Sequence, residues 1–378
     1  MGSVPQSPRT AFRVLSDDVD RRVDRVVRRL LPRLPLSRLY QALREGDIRV
    51  NGARVTPATR TRVDDLIRVD PILAASGRSA TGHRQPGQHA PPGTAPARPA
   101  PPVPVLYRDS HILIVDKPAG LAVHGEHDSV MTRLAARTLP RTQALSFAPA
   151  PVHQLDRVTS GALVVALTLA AARSWSAALR SGQVVKLYLA VAAGDLRTPP
   201  EGALWEDRLR YDRRTRRAWP DPAGAYARAR VWAVARATGA AGARLAATLL
   251  LVRLHTGRRH QIRAQAAARR HALLGDIRYA DGPHRGRAHR AAHHGPASGS
   301  TASGPGAGWP VLHAAAIGND AAAHCAAVAA PLPSGACRAI ERQFGPAAVR
   351  RARSAVARQL AGGSRDANAG HSGEFEHG

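Results

Sequence analysis

Residues 74–104 (AASGRSATGHRQPGQHAPPGTAPARPAPPVP) hold eight prolines and four glycines, and Val103 is the only apolar side chain there larger than alanine. Such a stretch buries too little surface to offset its ordering entropy, roughly 1–2 kcal/mol per residue for the backbone alone. It reads as a Pro/Gly-rich linker and forbids one continuous core through the chain. A small unit over 18–73 and a larger one over 105–340 follow from it, behind a flexible N-terminus at 1–17. No apolar pattern is sustained after Leu360, so 341–378 reads as a poorly ordered C-terminal tail, and the Gly, Ala, Ser, His and Arg of 283–310 read as a flexible insertion.

Across 378 residues, 55 Lys and Arg face 27 Asp and Glu, a net charge of +28. A charge this large repels itself unless it meets a polyanion, either nucleic acid or an anionic membrane. Only Lys117 and Lys186 are lysines, so part of the arginine excess reflects biased codon usage. No apolar run nears the roughly 20 residues that span a bilayer, and no basic-then-apolar leader opens the chain. The expectation is a soluble, cytoplasmic protein without a membrane partner. Cys325 and Cys337 are too few for a disulfide framework or a thiolate zinc site, and His284, His289, His293 and His294 fall in the Gly/Ser-rich insertion, so no metal is expected.

In the small unit, Val19, Val23, Val26, Val27 and Leu30 recur at helical spacing until Pro32. Ser37 opens a second helix that Gly46 ends, and strands follow at Ile48–Val50 and Leu66–Val69 with Asn51-Gly52 as a turn. Between Arg21 and Arg44 stand eight arginines and one acid, Asp24, which is either a solvated face or a phosphate-binding one. In the large unit, strand-like runs (112–115, 163–167, 184–191, 226–234, 245–254) mix with helical ones at 169–179 and 259–269. Strands that follow each other without a helix between them imply an α+β fold, a mixed, largely antiparallel sheet with flanking helices preceded by a small αβ domain.

No phosphate-cradling loop, dinucleotide fingerprint or zinc-spaced histidine pair is present. What stands out is a series of polar clusters at strand edges, each weak alone and specific together: Lys117-Pro-Ala-Gly120 within 105–124; His153-Gln154-Leu155-Asp156-Arg157-Val158-Thr159-Ser160-Gly161; Lys186-Leu-Tyr188; Thr256-Gly-Arg-Arg-His260-Gln261-Ile-Arg263; and Leu274-Gly-Asp276 with Leu312-His-Ala314. In this order they resemble the pseudouridine synthases that modify large-subunit ribosomal RNA and some tRNAs, over nearly all of 18–335. The stretch Leu36–Gly46 followed by Ile48–Gly52 resembles the α-L type RNA-binding domain that precedes many of those enzymes.

The resemblance implies an isomerase that breaks the bond from ribose carbon 1 to uracil nitrogen 1 and rejoins the base through carbon 5. By resemblance Asp156 is the nucleophile, Arg263 pairs with its carboxylate and fixes its aim, and Tyr188 stacks on the target base. His153, Gln154, Leu155, Arg157, Thr159, Ser160, Gly161, Lys186, His260 and Gln261 shape the loops and position substrate. Arg21, Arg22, Arg25, Arg28, Arg29, Arg38, Arg44 and Asn51 are the expected RNA contacts, the partner is large-subunit ribosomal RNA, no cofactor is implied, and a monomer is expected. Three positions depart from the family pattern. Gln154 replaces an arginine that fills the space of the flipped base, Gln265 a histidine, and Ala280 a glycine. Together with the alanine-rich C-terminal segment, these departures leave a second reading open, a non-catalytic RNA-binding or ribosome-assembly factor that retains the fold.

Overall fold

A computed structural model describes residues 10–77, 100–139, 147–238, 246–280, 311–319 and 327–362. Contacts divide the chain into two units, the first carrying the elements up to Gly77 and the second the large sheet.

The first unit contains β1 (Ala11–Arg13), α1 (Val23–Leu30), α2 (Leu36–Glu45), β2 (Ile48–Val50), β3 (Ala53–Arg54), β4 (Leu66–Val69) and α3 (Pro71–Gly77). Its strands form one antiparallel sheet in the order β1-β4-β2-β3. Val23, Val26 and Val27 of α1 and Leu39 and Leu43 of α2 meet Phe12, Ile48 and Ile67 in a closed core. Gly46 ends α2 at φ +85°, a left-handed conformation that costs glycine little, and its N–H bonds the Ala42 carbonyl. Two expectations change here. The N-terminal stretch to 17 is not all flexible, because β1 adds an edge strand and buries Phe12. The linker is shorter than 74–104, since α3 runs to Gly77 and Val103 is buried; residues 78–99 lie outside the described residues.

The second unit contains β5 (Val105–Arg108), β6 (Ile112–Lys117), α4 (Val130–Arg137), β7 (Ala150–Pro151), β8 (Ser160–Ala166), α5 (Leu169–Arg180), β9 (Val184–Ala193), β10 (Ala203–Asp212), β11 (Arg217–Pro220), β12 (Ala225–Ala237), β13 (Ala247–Leu254), α6 (Gln261–Ala268), β14 (Leu312–Asn319), β15 (Ala327–Ala329), α7 (Ser334–Phe344) and α8 (Ala347–Gly362). One eleven-stranded sheet runs β11-β10-β12-β13-β9-β14-β8-β6-β5, with β15 on β14 and β7 on β8. Every ladder is antiparallel except β14 on β8, so the sheet is mixed and largely antiparallel.

Side chains alternate across a strand, and β9 uses both faces. Leu187, Leu189 and Val191 pack with Leu249 and Leu251 against Ile340 of α7 and Ala348, Ala352 and Val356 of α8. Tyr188 and Lys186 are thereby turned to the opposite face, where α6 packs through Ala264 against Leu209, Ala218 and Ala227. The tail from 341 is therefore largely helical up to Gly362. Alanine is the strongest helix former, and its small side chains bring α8 close to the sheet without the bulky pattern that marks a core helix. Residues 283–310 and Cys325 lie outside the described residues.

Candidate active site

The parallel meeting of β8 and β14 brackets the loop that carries Asp156. Gly161 lies opposite Ala314 at φ +109°, and a Cβ there would fall 2.2 Å from the Ala314 carbonyl oxygen. Only glycine lets the two backbones come this close. Beside it, Ser160 Oγ shares a 2.9 Å hydrogen bond with His313 Nδ1, and Thr159 donates its N–H to the Asp156 carbonyl. His153 Nε2 accepts the Val164 N–H at 3.1 Å, and burial pushes its imidazole down to about 4, so it is a neutral acceptor tying the loop to β8.

The turn Lys117–Gly120 is fastened to the same loop. Lys117 is fully buried and its Nζ donates to the carbonyls of Pro118, Leu121 and Arg157 at 3.0, 2.7 and 3.2 Å. Gly120 N–H donates to the Arg157 carbonyl at 2.7 Å, and Arg157 Nε returns a bond to the Gly120 carbonyl. Burial lowers the Lys117 ammonium to about 7, with Asp156 pulling the other way. The lysine thus does more than set its own turn, because it also holds the backbone next to Asp156.

Asp156 opens into a pocket of about 490 Å³, lined by Leu155, Tyr188, Lys186, His255, Arg258, His260 and Arg263 among others. That size lies within the range of roughly 300–1,000 Å³ found for small-ligand sites. Arg263, on the buried face of α6, donates Nη1 to Asp156 Oδ2 at 3.2 Å. Its bidentate partner is another carboxylate, Asp276, bonded by Nε at 2.6 Å and Nη2 at 2.9 Å. Arg263 thus meets Asp156, as expected, but with one nitrogen only, while Asp276 fixes the guanidinium plane. Burial opposes the charge on Arg263, and the bonds to Asp276 and then Asp156 outweigh it. Asp276 sits in the Leu-Gly-Asp string, but its role was not legible because a string does not say which arginine it faces.

Tyr188 is buried, and its phenol is raised by burial first and by Asp156 second, so it stays protonated. Lys186 Nζ lies 3.4 Å from the Thr256 carbonyl, and burial lowers it to about 8. Gln261 Oε1 accepts from Thr256 Oγ1 and the Arg258 N–H, while its Nε2 donates to the Arg228 carbonyl. That set folds the 256–261 loop over the start of α6. His260 adopts φ +56°, shares a 2.9 Å bond through Nδ1 with Tyr279 Oη, and places Nε2 3.8 Å from Asp156 Oδ1. Burial pushes it down to about 4, so this approach is that of a neutral ring. Gln265 donates to Asp207 Oδ2 at 2.7 Å beneath α6 and serves packing.

Gln154 lines the same pocket as Asp156 and bonds His124 at 2.7 Å, while exposed Arg157 pairs with Glu126. In the first unit, Arg22 is clamped by Asp24 and Arg38 by Glu45 and Asp47. Asn51 donates its amide to Asp65 and accepts the Leu66 N–H, which holds the turn after β2. Arg25, Arg28, Arg29 and Arg44 remain on the exposed surface, and Arg21 is half-buried.

Residues 111–268 match the family described as RNA pseudouridylate synthase, and residues 21–67 match the S4 domain. The ribosomal large subunit pseudouridine synthase D of Xanthomonas campestris is 32% identical over 68% of this chain and 71% of its own length. The ribosomal large subunit pseudouridine synthase C of Escherichia coli is 31% identical over 71% of this chain and 79% of its own length. Among solved structures, Human RNA Pseudouridylate Synthase Domain Containing 1 aligns over 61% of this chain and 83% of that one, with 22% identity and a TM-score of 0.47. With more than two thirds of each of these two bacterial relatives covered at over 30% identity, and with an S4 domain ahead of the catalytic unit, this chain belongs to the RNA pseudouridylate synthase family.

Proposed function

We propose that this protein isomerises uridines of large-subunit ribosomal RNA to pseudouridine, with Asp156 as the nucleophile. The observation that carries the reading is the buried relay Asp276–Arg263–Asp156 at the wall of a pocket that Tyr188 also lines. Single-point contact from Arg263 aims the carboxylate and leaves its second oxygen, Oδ1, turned toward the pocket and His260. A carboxylate so held attacks ribose carbon 1 as the bond to uracil nitrogen 1 breaks, in the manner of a retaining glycosyl transfer. The freed uracil turns, carbon 5 takes the place of nitrogen 1 at the ribose, the carboxylate leaves, the carbon 5 proton is lost to base or water, and nitrogen 1 takes up a proton. The ring of Tyr188 gives the uracil an apolar surface during that turn. A target inside a helix must first be flipped out, at a cost of a few kcal/mol.

The same relay weighs against the non-catalytic reading. A binding-only protein has no need to bury a guanidinium between two carboxylates, each ion costing several kcal/mol of desolvation. In the S4 domain, the exposed arginines Arg25, Arg28, Arg33 and Arg44 are the phosphate contacts of this proposal. The test is in vitro: purified full-length protein is incubated with unmodified large-subunit ribosomal RNA and pseudouridine is mapped. Wild type is expected to produce it, and Asp156→Asn to lose at least on the order of 10³ in rate with RNA binding intact. Equal rates for the two proteins would remove Asp156 from the chemistry.

A further inference from the structure

The pocket around Asp156 is charged unevenly. Among the described residues that line it, Asp156 is the one acid, against four lysine and arginine side chains, Arg180, Lys186, Arg258 and Arg263. Arg263 is taken up by Asp276 and Asp156. None of the other three pairs with an acid. Arg258 gives its Nε to the Tyr226 carbonyl, while Arg180, at the end of α5, makes no hydrogen bond or ion pair among the described residues.

The two lysines of the chain make the asymmetry plain. Both are buried, but Lys117 spends all three of its N–H groups on carbonyls at 2.7–3.2 Å. Lys186 is 8% exposed and makes a single 3.4 Å contact with the Thr256 carbonyl, longer than an ordinary N–H···O bond. At least two of its N–H groups are left over. Burial and then the like charge of Arg258 bear on this ammonium, and a buried charge in that position is costly until an anion meets it. There is room for one. A Cβ built on Gly257 would meet nothing within 4 Å except Lys186 Nζ, at 3.8 Å, so the space beside the ammonium is open. Lys186 and Tyr188 stand two residues apart on one face of β9, which is roughly 7 Å along the strand. A ligand whose base lies on Tyr188 therefore extends its backbone past Lys186.

Resting on the RNA-modifying reading above, we propose that Lys186, with Arg180 at the pocket wall, binds a backbone phosphate next to the target uridine. The phosphate supplies the counter-charge that the protein withholds, and its oxygens accept the spare N–H groups. The pocket then seats a nucleotide at two points, its base and its backbone. The test reads binding alone, by fluorescence anisotropy of full-length protein with a ribosomal RNA fragment in which each phosphate is replaced in turn by a neutral methylphosphonate. Wild type is expected to lose at least about tenfold in affinity when the phosphate next to the modified uridine is neutralised. Lys186→Met should show that loss already on the native fragment, with a salt slope lower by about 0.7, and should be indifferent to neutralisation at that one position. Its sensitivity at every other phosphate should match wild type, which separates a lost contact from a damaged fold. Arg180→Gln, a change at an exposed side chain, should weaken binding at the same position by less. The proposal is overturned if wild type and Lys186→Met respond alike at every phosphate, or if the position that depends on Lys186 lies away from the modified uridine. A fragment that shows the Lys186-dependent position but acquires no pseudouridine would defeat the functional reading and leave the phosphate site standing.

Discussion

Asp276 shows how one residue governs a site it does not enter. With side-chain exposures of 1% and 6%, Asp276 and Arg263 form a closed bidentate pair, and only the outer nitrogen is left for Asp156. Had Asp156 taken both nitrogens, its oxygens would be occupied when the ribose arrives. Replacing Asp276 with Asn leaves a buried guanidinium short of a counter-charge, which costs about 3–5 kcal/mol when a buried pair loses one member. Asp276→Asn is therefore expected to lower the denaturant midpoint sharply and to reduce kcat more than it raises KM. A variant with wild-type stability and kcat would show that Arg263 is aimed by something else. That Asp156, Tyr188 and Arg263 belong to one candidate site was legible in the sequence because each sits in a compact string of distinctive residues, and all three line one pocket. The Asp276–Arg263 pairing and the three-carbonyl grip of Lys117 were not, since both are made by folding contacts that no single string encodes.

Among elements, the helices of the S4 domain show how far charge counting goes. Eight arginines between Arg21 and Arg44 suggested one basic face. Folding pairs Arg22 and Arg38 with acids and leaves Arg25, Arg28, Arg33 and Arg44 exposed. Replacing these four with alanine is expected to weaken RNA binding for every sequence and to lower the salt slope by about 3, at roughly 0.7–0.9 per lost phosphate contact. The same replacement at Arg22 should instead cost stability through Asp24, and an unchanged slope for the fourfold variant would move the RNA off these helices. The helix α8 was hidden for a related reason. Its buried stripe is Ala348, Ala352 and Ala355 with Val349 and Val356, and alanine marks a packed face only once the neighbouring strands are known. Strand pairing was more open to reading, because 226–234 and 245–254 follow each other with no helix between them and pair as β12 and β13.

For the whole molecule, burial sets a pH response that differs between the two units. His153, His255, His260 and His313 are all pushed down to about 4 in the folded second unit, with burial the largest cause each time. The unfolded chain protonates them near 6.5, so between pH 6.5 and 5 it binds more protons than the folded state and stability falls with pH. Asp116, raised by burial to about 6, works in the opposite direction, but it is one group against four. The first unit has no histidine in residues 10–77. Denaturant midpoints followed by tryptophan fluorescence, with all five tryptophans beyond residue 170, are expected to fall from pH 6.5 to 5, and a flat or rising midpoint would mean these histidines are not buried neutral.

In the proposed function the +28 charge, the S4 domain and the Asp156 pocket share one object, ribosomal RNA. Most direct is a map of pseudouridines in large-subunit ribosomal RNA from a strain lacking this protein, complemented with wild type or with Asp156→Ala. Specific pseudouridines are expected to disappear on deletion, to return with wild type and to stay absent with Asp156→Ala. A deletion that leaves every pseudouridine in place, or an alanine variant that restores them, would contradict the proposed function.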